Sequence, residues 1–253
     1  MKVRRHATGG LGRRVRVRPW AFDSSVIHLV LADQAIVPTA GEVRSWVDAL
    51  GEQPRPGATP LRAIRTGALF PDAAARFADA GFDVIDTLAL LRIDLTDRHE
   101  ALETATHQRT VPLRGRQHHS ASQIDRAAFG DPWGNDADDL DEIRRATPVH
   151  RARARTAPGP AGIRRSPLVA FAITGAAAGH GYLQRLAVTP AQQGHGHGRA
   201  LAVDSLQWMR SRRLHHGLVN TAIDNARALQ LYESLGFRAL PEQLLVMELD
   251  TTS

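Results

Sequence analysis

The feature that most constrains this chain is a turn rich in glycine, which follows a hydrophobic strand and precedes a helix-forming run. Residues 183–198 read LQRLAVTPAQQGHGHG, with glycine at positions 194, 196 and 198. Glycine lets the backbone approach a ligand without a Cβ atom in the way. A helix that starts after such a turn directs its free amide groups and the positive end of its dipole into the loop. The turn is therefore predicted to bind a phosphate or pyrophosphate group.

The spacing of the glycines separates this turn from two other phosphate-binding loops. A dinucleotide-binding loop needs G-x-G-x-x-G with an acidic residue about 20 positions on, and a P-loop needs Lys followed by Ser or Thr. Here Arg199 and Ala200 follow the last glycine. The run instead resembles the Q/R-x-x-G-x-G/A loop of the GNAT acetyltransferase superfamily, with Gln193, Gly196 and Gly198 at its fixed positions.

A second segment supports the resemblance. Residues 225–237 read NARALQLYESLGF, which is similar to the family's downstream pattern N-x-x-A-x-x-L-Y-x-x-x-G-F. Alone, this segment would predict an ordinary amphipathic helix with Tyr232 in the core and Gly236 at its C-terminal cap. Two motifs in the right order are far more specific than one glycine loop. We therefore expect a catalytic role for Tyr232.

The resemblance implies roles for the matched residues. The strand before the loop is expected to separate from its neighbour, so that the Leu186 N–H faces the acetyl carbonyl of acetyl-CoA as an oxyanion donor. Asn225 would hold the pantetheine arm, and Tyr232 would be the general acid for the CoA thiolate, a role for which a modest lowering of its pKa would suffice. Acetyl and pantetheine groups would contact the backbone of Leu186, Ala187 and Val188. The pyrophosphate would lie on the loop residues Gln193, Gly194, His195, Gly196, His197, Gly198 and Arg199.

The sequence leaves the general base open. Many members of the family carry a Glu on the strand near the position of Tyr182, whereas the polar side chains here are His180, Tyr182 and Gln184. Either a water positioned by Asn220 or a carboxylate from residues 136–142 would deprotonate the amine.

Composition restricts the class of protein. The chain has 253 residues, 43% of them hydrophobic, which suffices for one large or two small packed domains. It has no cysteine, so disulfides and thiol nucleophiles are excluded. His195 and His197 invite a metal site, but no third ligand occurs at a known spacing, and no metal is predicted. No apolar run approaches the ~18 residues of a spanning helix, so no membrane contact and a cytoplasmic location are expected.

The net charge of +6 comes mainly from the N-terminus. Residues 1–18 contain seven basic residues and no acid, whereas the rest of the chain is close to neutral. We interpret residues 1–18 as a basic, flexible tail whose removal would leave the fold intact. The near-neutral body argues against nucleic acid as a partner.

The rest of the chain resembles two unequal copies of one fold. A Gly-Phe pair at residues 81–82 mirrors one at residues 236–237, and aligning them puts Phe77 opposite Tyr232. The first copy has only Gly41 in place of the glycine loop. It is therefore expected to serve packing rather than chemistry.

The predicted class is α/β, with a mixed sheet and a GNAT-like acyltransferase fold. Residues 19–100 are expected to form a degenerate partial copy, and residues 101–253 the complete acetyl-CoA-binding catalytic domain. The implied activity is N-acetylation of a small-molecule amine, or of a protein N-terminal or lysine amine. Two alternatives remain: a non-enzymatic acyl-CoA-binding module, favoured by the missing strand carboxylate, and a regulatory or nucleic-acid-associated protein led by its basic tail. The sequence does not indicate the oligomeric state.

Overall fold

The computed structural model describes residues 11, 14–20, 22–52, 60–97, 109–131, 133–157 and 166–252. These residues form ten strands and six α-helices, which confirms the mixed α/β class. The chain divides into two compact units, Met1–Ala89 with Pro241–Ser253, and Leu90–Leu240. The division falls inside two strands, β4 (Asp83–Asp94) and β10 (Arg238–Asp250). The last strand thus contributes to the first unit, whereas the sequence assigned it wholly to the catalytic domain.

The first unit is a sheet covered by two helices. Its strands are β1 (Val15–Trp20), β2 (Asp23–Leu31) and β3 (Ala63–Thr66). Its helices are α1 (Ala40–Gly51) and α2 (Pro71–Ala78). Strand β1 pairs antiparallel with β2, β2 parallel with β3, and β3 antiparallel with β10. The apolar faces of the two helices meet the sheet in one core, which includes Leu29, Val43, Trp46, Ile64, Phe77, Phe82 and Met247.

The start of this unit corrects the predicted flexible tail. Strand β1 pairs with β2 from Val15 opposite Leu31 to Trp20 opposite Asp23. Leu11 and Val15 are only 2% and 4% exposed, because they pack into the core. A period of two, with Val15 and Val17 alternating with arginines, produces this strand.

The second unit contains the remaining elements. Its strands are β5 (Val111–Pro112), β6 (Val149–Thr156), β7 (Leu168–Ala177), β8 (His180–Val188) and β9 (His216–Ala222). Its helices are α3 (His118–Phe129), α4 (Ala137–Arg145), α5 (His197–Ser211) and α6 (Ala226–Glu233). The strand order is β9-β8-β7-β6-β5, in which only the β8–β9 pair is parallel. Helices α3 and α4 cover one face, whose core includes Leu113, Ala121, Ile124, Leu140, Phe171, Ile173 and Ala187.

Helix α5 packs on the opposite face of this sheet. The Thr174 hydroxyl of β7 donates to the Ser205 hydroxyl of α5 at 2.8 Å. A Cβ atom at Gly181 or Gly217 would lie within 3.4 Å of the Met209 side chain, so the strands need glycine beneath this helix.

Residues 158–165, between β6 and β7, lie outside the described residues. Among the described helices, none combines the length and apolar character needed to cross a membrane.

Candidate functional site

The parallel strands β8 and β9 separate in the middle of the second unit. Over the described residues their pairing runs from His180 opposite His216 to Tyr182 opposite Leu218 and then stops, although β8 continues to Val188. The sequence expected such a separation before the glycine loop. One edge of β8 is therefore open along residues 183–188.

The hydrogen-bond alternation on β8 shows which amides face this opening. The Thr189 N–H donates to the Val169 carbonyl of β7 at 2.9 Å. Because antiparallel pairs alternate between bonded and non-bonded positions, Ala187 is bonded to β7, and Leu186 and Val188 turn their backbone groups away from it. The Val188 carbonyl accepts a 3.3 Å hydrogen bond from the Gln193 side chain across that edge.

A bulge in β8 sets this alternation. The register with β7 shifts between Thr174 opposite Leu183 and Ile173 opposite Arg185, which leaves Gln184 as the extra residue. Without the shift, Leu186 would be bonded to β7 and the alternate residues would face the opening. The bulge therefore decides that the Leu186 N–H is directed away from β7.

The glycine loop connects β8 to helix α5 through two left-handed residues. Gly194 and Gly196 have φ of 80° and 78°, conformations that favour glycine. Gly198 differs, because it lies in the first turn of α5, where an added Cβ would meet Leu231 at 3.5 Å in ordinary contact. Two of the three glycines are thus needed for backbone conformation.

The N-terminus of α5 is available to an anion. Gly196 is its N-cap residue and provides no side-chain hydrogen bond. Two arginines lie nearby: Arg227 contacts the Gln193 side chain at the loop, and Arg199 donates to the Ser234 hydroxyl at 2.8 Å. Free helical amides and positive side chains together suit a phosphate group.

The two loop histidines have different environments. His195 is exposed, and its Nδ1 lies 3.0 Å from the Gln193 carbonyl oxygen. His197 is buried, and its Nδ1 accepts from Arg155 Nε at 3.2 Å. Burial, with the nearby Arg155 and His195, lowers the pKa of His197. Among the described residues no cluster of three His, Asp or Glu side chains is suited to a metal ion.

Tyr232 lies on α6 and is 5% exposed. Its ring packs edge-on against Phe237 with 5.6 Å between the ring centres. Burial raises the pKa of Tyr232 to about 12, although the positive charge of Arg185 opposes the rise. The pKa of Tyr232 is thus raised rather than lowered, and the phenol is protonated at neutral pH.

Asn225 begins α6. Its side-chain oxygen accepts from the Ala228 N–H at 3.1 Å and caps the helix. Because the oxygen is used in this way, a contact with pantetheine would fall to the amide nitrogen of Asn225.

The corresponding features of the first unit are closed. Strands β2 and β3 pair over their whole facing length, from Val26 opposite Ala63 to Leu29 opposite Thr66. The N-terminus of α1 is satisfied by a capping box in which the Thr39 hydroxyl and the Glu42 carboxylate bind backbone N–H groups. A carboxylate at this position repels an anion.

The ends of α2 and α6 nevertheless match closely. Gly81 and Gly236 both have φ of 95°. Phe77 packs against Phe82 at 5.1 Å between ring centres, as Tyr232 does against Phe237. The first unit thus keeps the packing of the helix end and has an apolar ring where the second unit has a phenol. Phe70, aligned with Asn225, begins α2 without a side-chain cap.

The groups considered as general base are partly engaged. Asp136 and Asp139 form the capping box of α4. Asp141 pairs with Arg144 at 2.6 Å and with Arg145 at 2.5 Å.

The β8 side chains nearby face the α3 and α4 side. The Gln184 amide donates to the Ile143 carbonyl at 2.9 Å, and its buried Oε1 has no hydrogen-bond partner among the described residues. Burial raises the pKa of Tyr182.

Sequence reasoning missed Arg185. This residue pairs with the buried Asp125 of α3 at 2.7 Å. The adjacent polar residues Gln184 and Arg185 interrupt an alternating hydrophobic strand, which was a signal of the bulge. The partner, 60 positions earlier, carried no signal of its own.

Residues 122–237 match a family model described as acetyltransferase (GNAT) family. No curated protein matches the chain in sequence.

Several solved structures share the fold. A GCN5-related N-acetyltransferase from Kribbella flavida is 16% identical, with 97% of this chain and 93% of that chain covered and a TM-score of 0.59. A tandem GNAT protein from the clavulanic acid biosynthesis pathway is 14% identical, with 90% and 76% covered and a TM-score of 0.60. A GCN5-related N-acetyltransferase from Sphaerobacter thermophilus is 14% identical, with 93% and 75% covered and a TM-score of 0.57. At these identities the likeness concerns the fold alone.

Proposed function

We propose that this chain transfers an acetyl group from acetyl-CoA to a primary amine, because residues 122–237 match a model of the acetyltransferase (GNAT) family. The observation that carries the proposal is the open edge of β8, which ends in a loop with left-handed Gly194 and Gly196. That edge offers the acyl arm backbone groups that are not paired with β9, and the loop offers amides to the pyrophosphate.

The Leu186 N–H is the proposed oxyanion donor. It points away from β7 and would hydrogen-bond the acetyl oxygen as negative charge develops there. The amine nitrogen bonds to the acetyl carbon, the carbon–sulfur bond breaks, and the sulfur leaves with its electron pair. The proton lost by the amine passes to water.

Tyr232 is the proposed proton donor to the sulfur. With a pKa of about 12 it is protonated at neutral pH, but its acidity is well below that of a thiol of pKa near 8.5. A thiolate beside Tyr232 is itself desolvated. Desolvation raises the pKa of the thiol and so reduces the difference between the pKa values of the phenol and the thiol. Arg185 favours the phenolate, so it assists the transfer.

The acceptor is proposed to be a small-molecule amine or an amine of a protein. The test is a panel of both classes, incubated with acetyl-CoA and scored by release of free thiol and by the mass of the product. Acetylation of at least one amine supports the proposal. The absence of CoA binding in calorimetry would refute it.

An acyl-CoA-binding module without catalysis is the second candidate function. The observation that favours it is that the polar side chains of β8, which are His180, Tyr182, Gln184 and Arg185, include no carboxylate. Tight CoA binding together with no product across the whole panel would establish this alternative.

A further inference from the structure

The second unit contains a buried ion pair beside the proposed reaction centre. Asp125 on α3 is completely buried. Its Oδ1 accepts from Arg185 Nε at 2.7 Å and its Oδ2 from Arg185 Nη2 at 2.8 Å. The same Oδ2 accepts from the backbone N–H and the side-chain amide of Asn135, at 2.8 and 3.1 Å. The carboxylate is therefore fully satisfied, as a buried charge must be.

Arg185 extends this network to the turn between α3 and α4. Its Nη2 donates to the Trp133 carbonyl at 2.8 Å. Its guanidinium carbon lies 3.6 Å from the centre of the Phe129 ring, which is a close cation–π contact. One side chain of β8 thus holds Phe129, Trp133 and, through Asp125, Asn135.

The position of Arg185 in β8 connects this network to the bulge and to Leu186. It is the first residue after the bulged Gln184, and it lies directly before Leu186. A strand that slips by one residue exchanges the amides that face its two neighbours. An anchor at this point decides whether the bulge stays in place.

We propose that Arg185 is a positioning residue: its ion pair with Asp125 holds the bulge of β8 in place and thereby directs the Leu186 N–H into the opening beside β9. The catalytic part of this inference rests on the proposed acetyl transfer. The structural part, which concerns the register of β8, is independent of that proposal. The positive charge that Arg185 places near Tyr232 gives the same residue a second influence on the site.

The test uses a neutral double variant, Asp125→Asn with Arg185→Gln, because it leaves no unpaired buried charge. The matched control is Asp131→Asn with Arg126→Gln. This second pair joins α3 to the same turn but is exposed, with side chains 51% and 61% accessible. Arg185→Lys, which keeps the charge and loses the two-point contact, is the second variant in case the double variant does not fold.

The first readout is amide hydrogen exchange by NMR without ligand. In the wild type, Ala187 should be protected by its bond to β7, and Leu186 should exchange quickly. The double variant should lose this contrast, and the control should keep it. An unchanged contrast in the double variant and in Arg185→Lys overturns the inference, whether or not any amine is acetylated.

The second readout is steady-state kinetics with an amine from the panel. Loss of one oriented oxyanion donor typically lowers kcat by about 100-fold to 1,000-fold. We expect the double variant to lose kcat on this scale, with CoA affinity weakened less than 10-fold and the control like the wild type. A double variant with altered exchange and normal kcat overturns the positioning role. If the wild type acetylates nothing, the proposed function fails, and the exchange result still decides the structural claim.

Discussion

Alanine substitution of the three loop glycines should give unequal effects. Gly194 and Gly196 have positive φ, and an alanine there costs roughly 1–2 kcal/mol because its Cβ crowds the backbone. Gly198 lies in the first turn of α5, and an added Cβ meets Leu186 and Val188 at 3.7 Å without a clash. Alanine at Gly198 is thus expected to be neutral or to stabilise the helix by up to ~1 kcal/mol.

Calorimetry with CoA and chemical denaturation would measure these effects. If the loop must keep its conformation to bind pyrophosphate, 1–2 kcal/mol corresponds to a roughly 5-fold to 30-fold weaker Kd for Gly194→Ala and Gly196→Ala. Gly198→Ala should bind within about threefold of the wild type, and Gly196→Asn should lose less than Gly196→Ala, because Asn tolerates the left-handed region. Equal losses at all three positions, or the largest loss at Gly198, would refute this account of the loop.

Four further outcomes are expected. Calorimetry should find one CoA site per chain, because the first unit has a closed β2–β3 pair and a self-capped helix; two equivalent sites would contradict this. Tyr232→Phe should lower kcat by about 100-fold to 10,000-fold with little change in CoA affinity, since the ring still packs; a fully active variant would show that Tyr232 is only core. Deleting residues 1–18 should destabilise the fold by roughly 3–6 kcal/mol, because it removes the buried side chains of Leu11 and Val15 along with most of β1, and unchanged denaturation would contradict this. Burial, with the charges of Arg18 and Arg65, lowers the pKa of His28 to about 3 from an ordinary 6.5. Between these two pH values His28 therefore binds a proton in the unfolded chain but not in the folded one. The free energy of unfolding should therefore fall relative to His28→Gln by about 1.4 kcal/mol per pH unit from pH 6 to 4, and parallel curves for the two proteins would argue against a neutral His28 in the folded state.

Local patterns were sufficient to predict the two motifs of the second unit and their counterpart in the first. The Gly-Phe pairs located two helix ends that share a φ of 95°. The glycine turn was also readable, because positive φ leaves a direct mark on the choice of residue. The failure at β1 has a local cause: the alternation of Val15 and Val17 with arginines was outweighed by the basic composition of the segment.

The rest of the site depends on contacts between distant residues. Nothing near Asp125 indicates that Arg185 will neutralise it, since the pairing exists only after α3 has packed on β8. The raised pKa of Tyr232 likewise follows from its burial in the folded unit, which the sequence does not show. The return of β10 to the first unit is a matter of strand order, which no local pattern specifies.

The two units differ at the points where a ligand and the protein would compete for the same backbone groups. At α1 the Glu42 carboxylate and the Thr39 hydroxyl occupy N–H groups at the helix start, whereas at α5 Gly196 leaves them without a side-chain cap. Strand β2 pairs with the whole of β3, whereas the described residues of β8 beyond Tyr182 do not pair with β9. In the described part of the second unit, both differences leave backbone polar groups without a side-chain cap or a β9 partner, at a cost that a bound phosphate and acyl arm would offset. In the first unit a capping box and a strand bind the equivalent groups, and for that reason the first unit is expected to gain stability where the second unit gains a ligand.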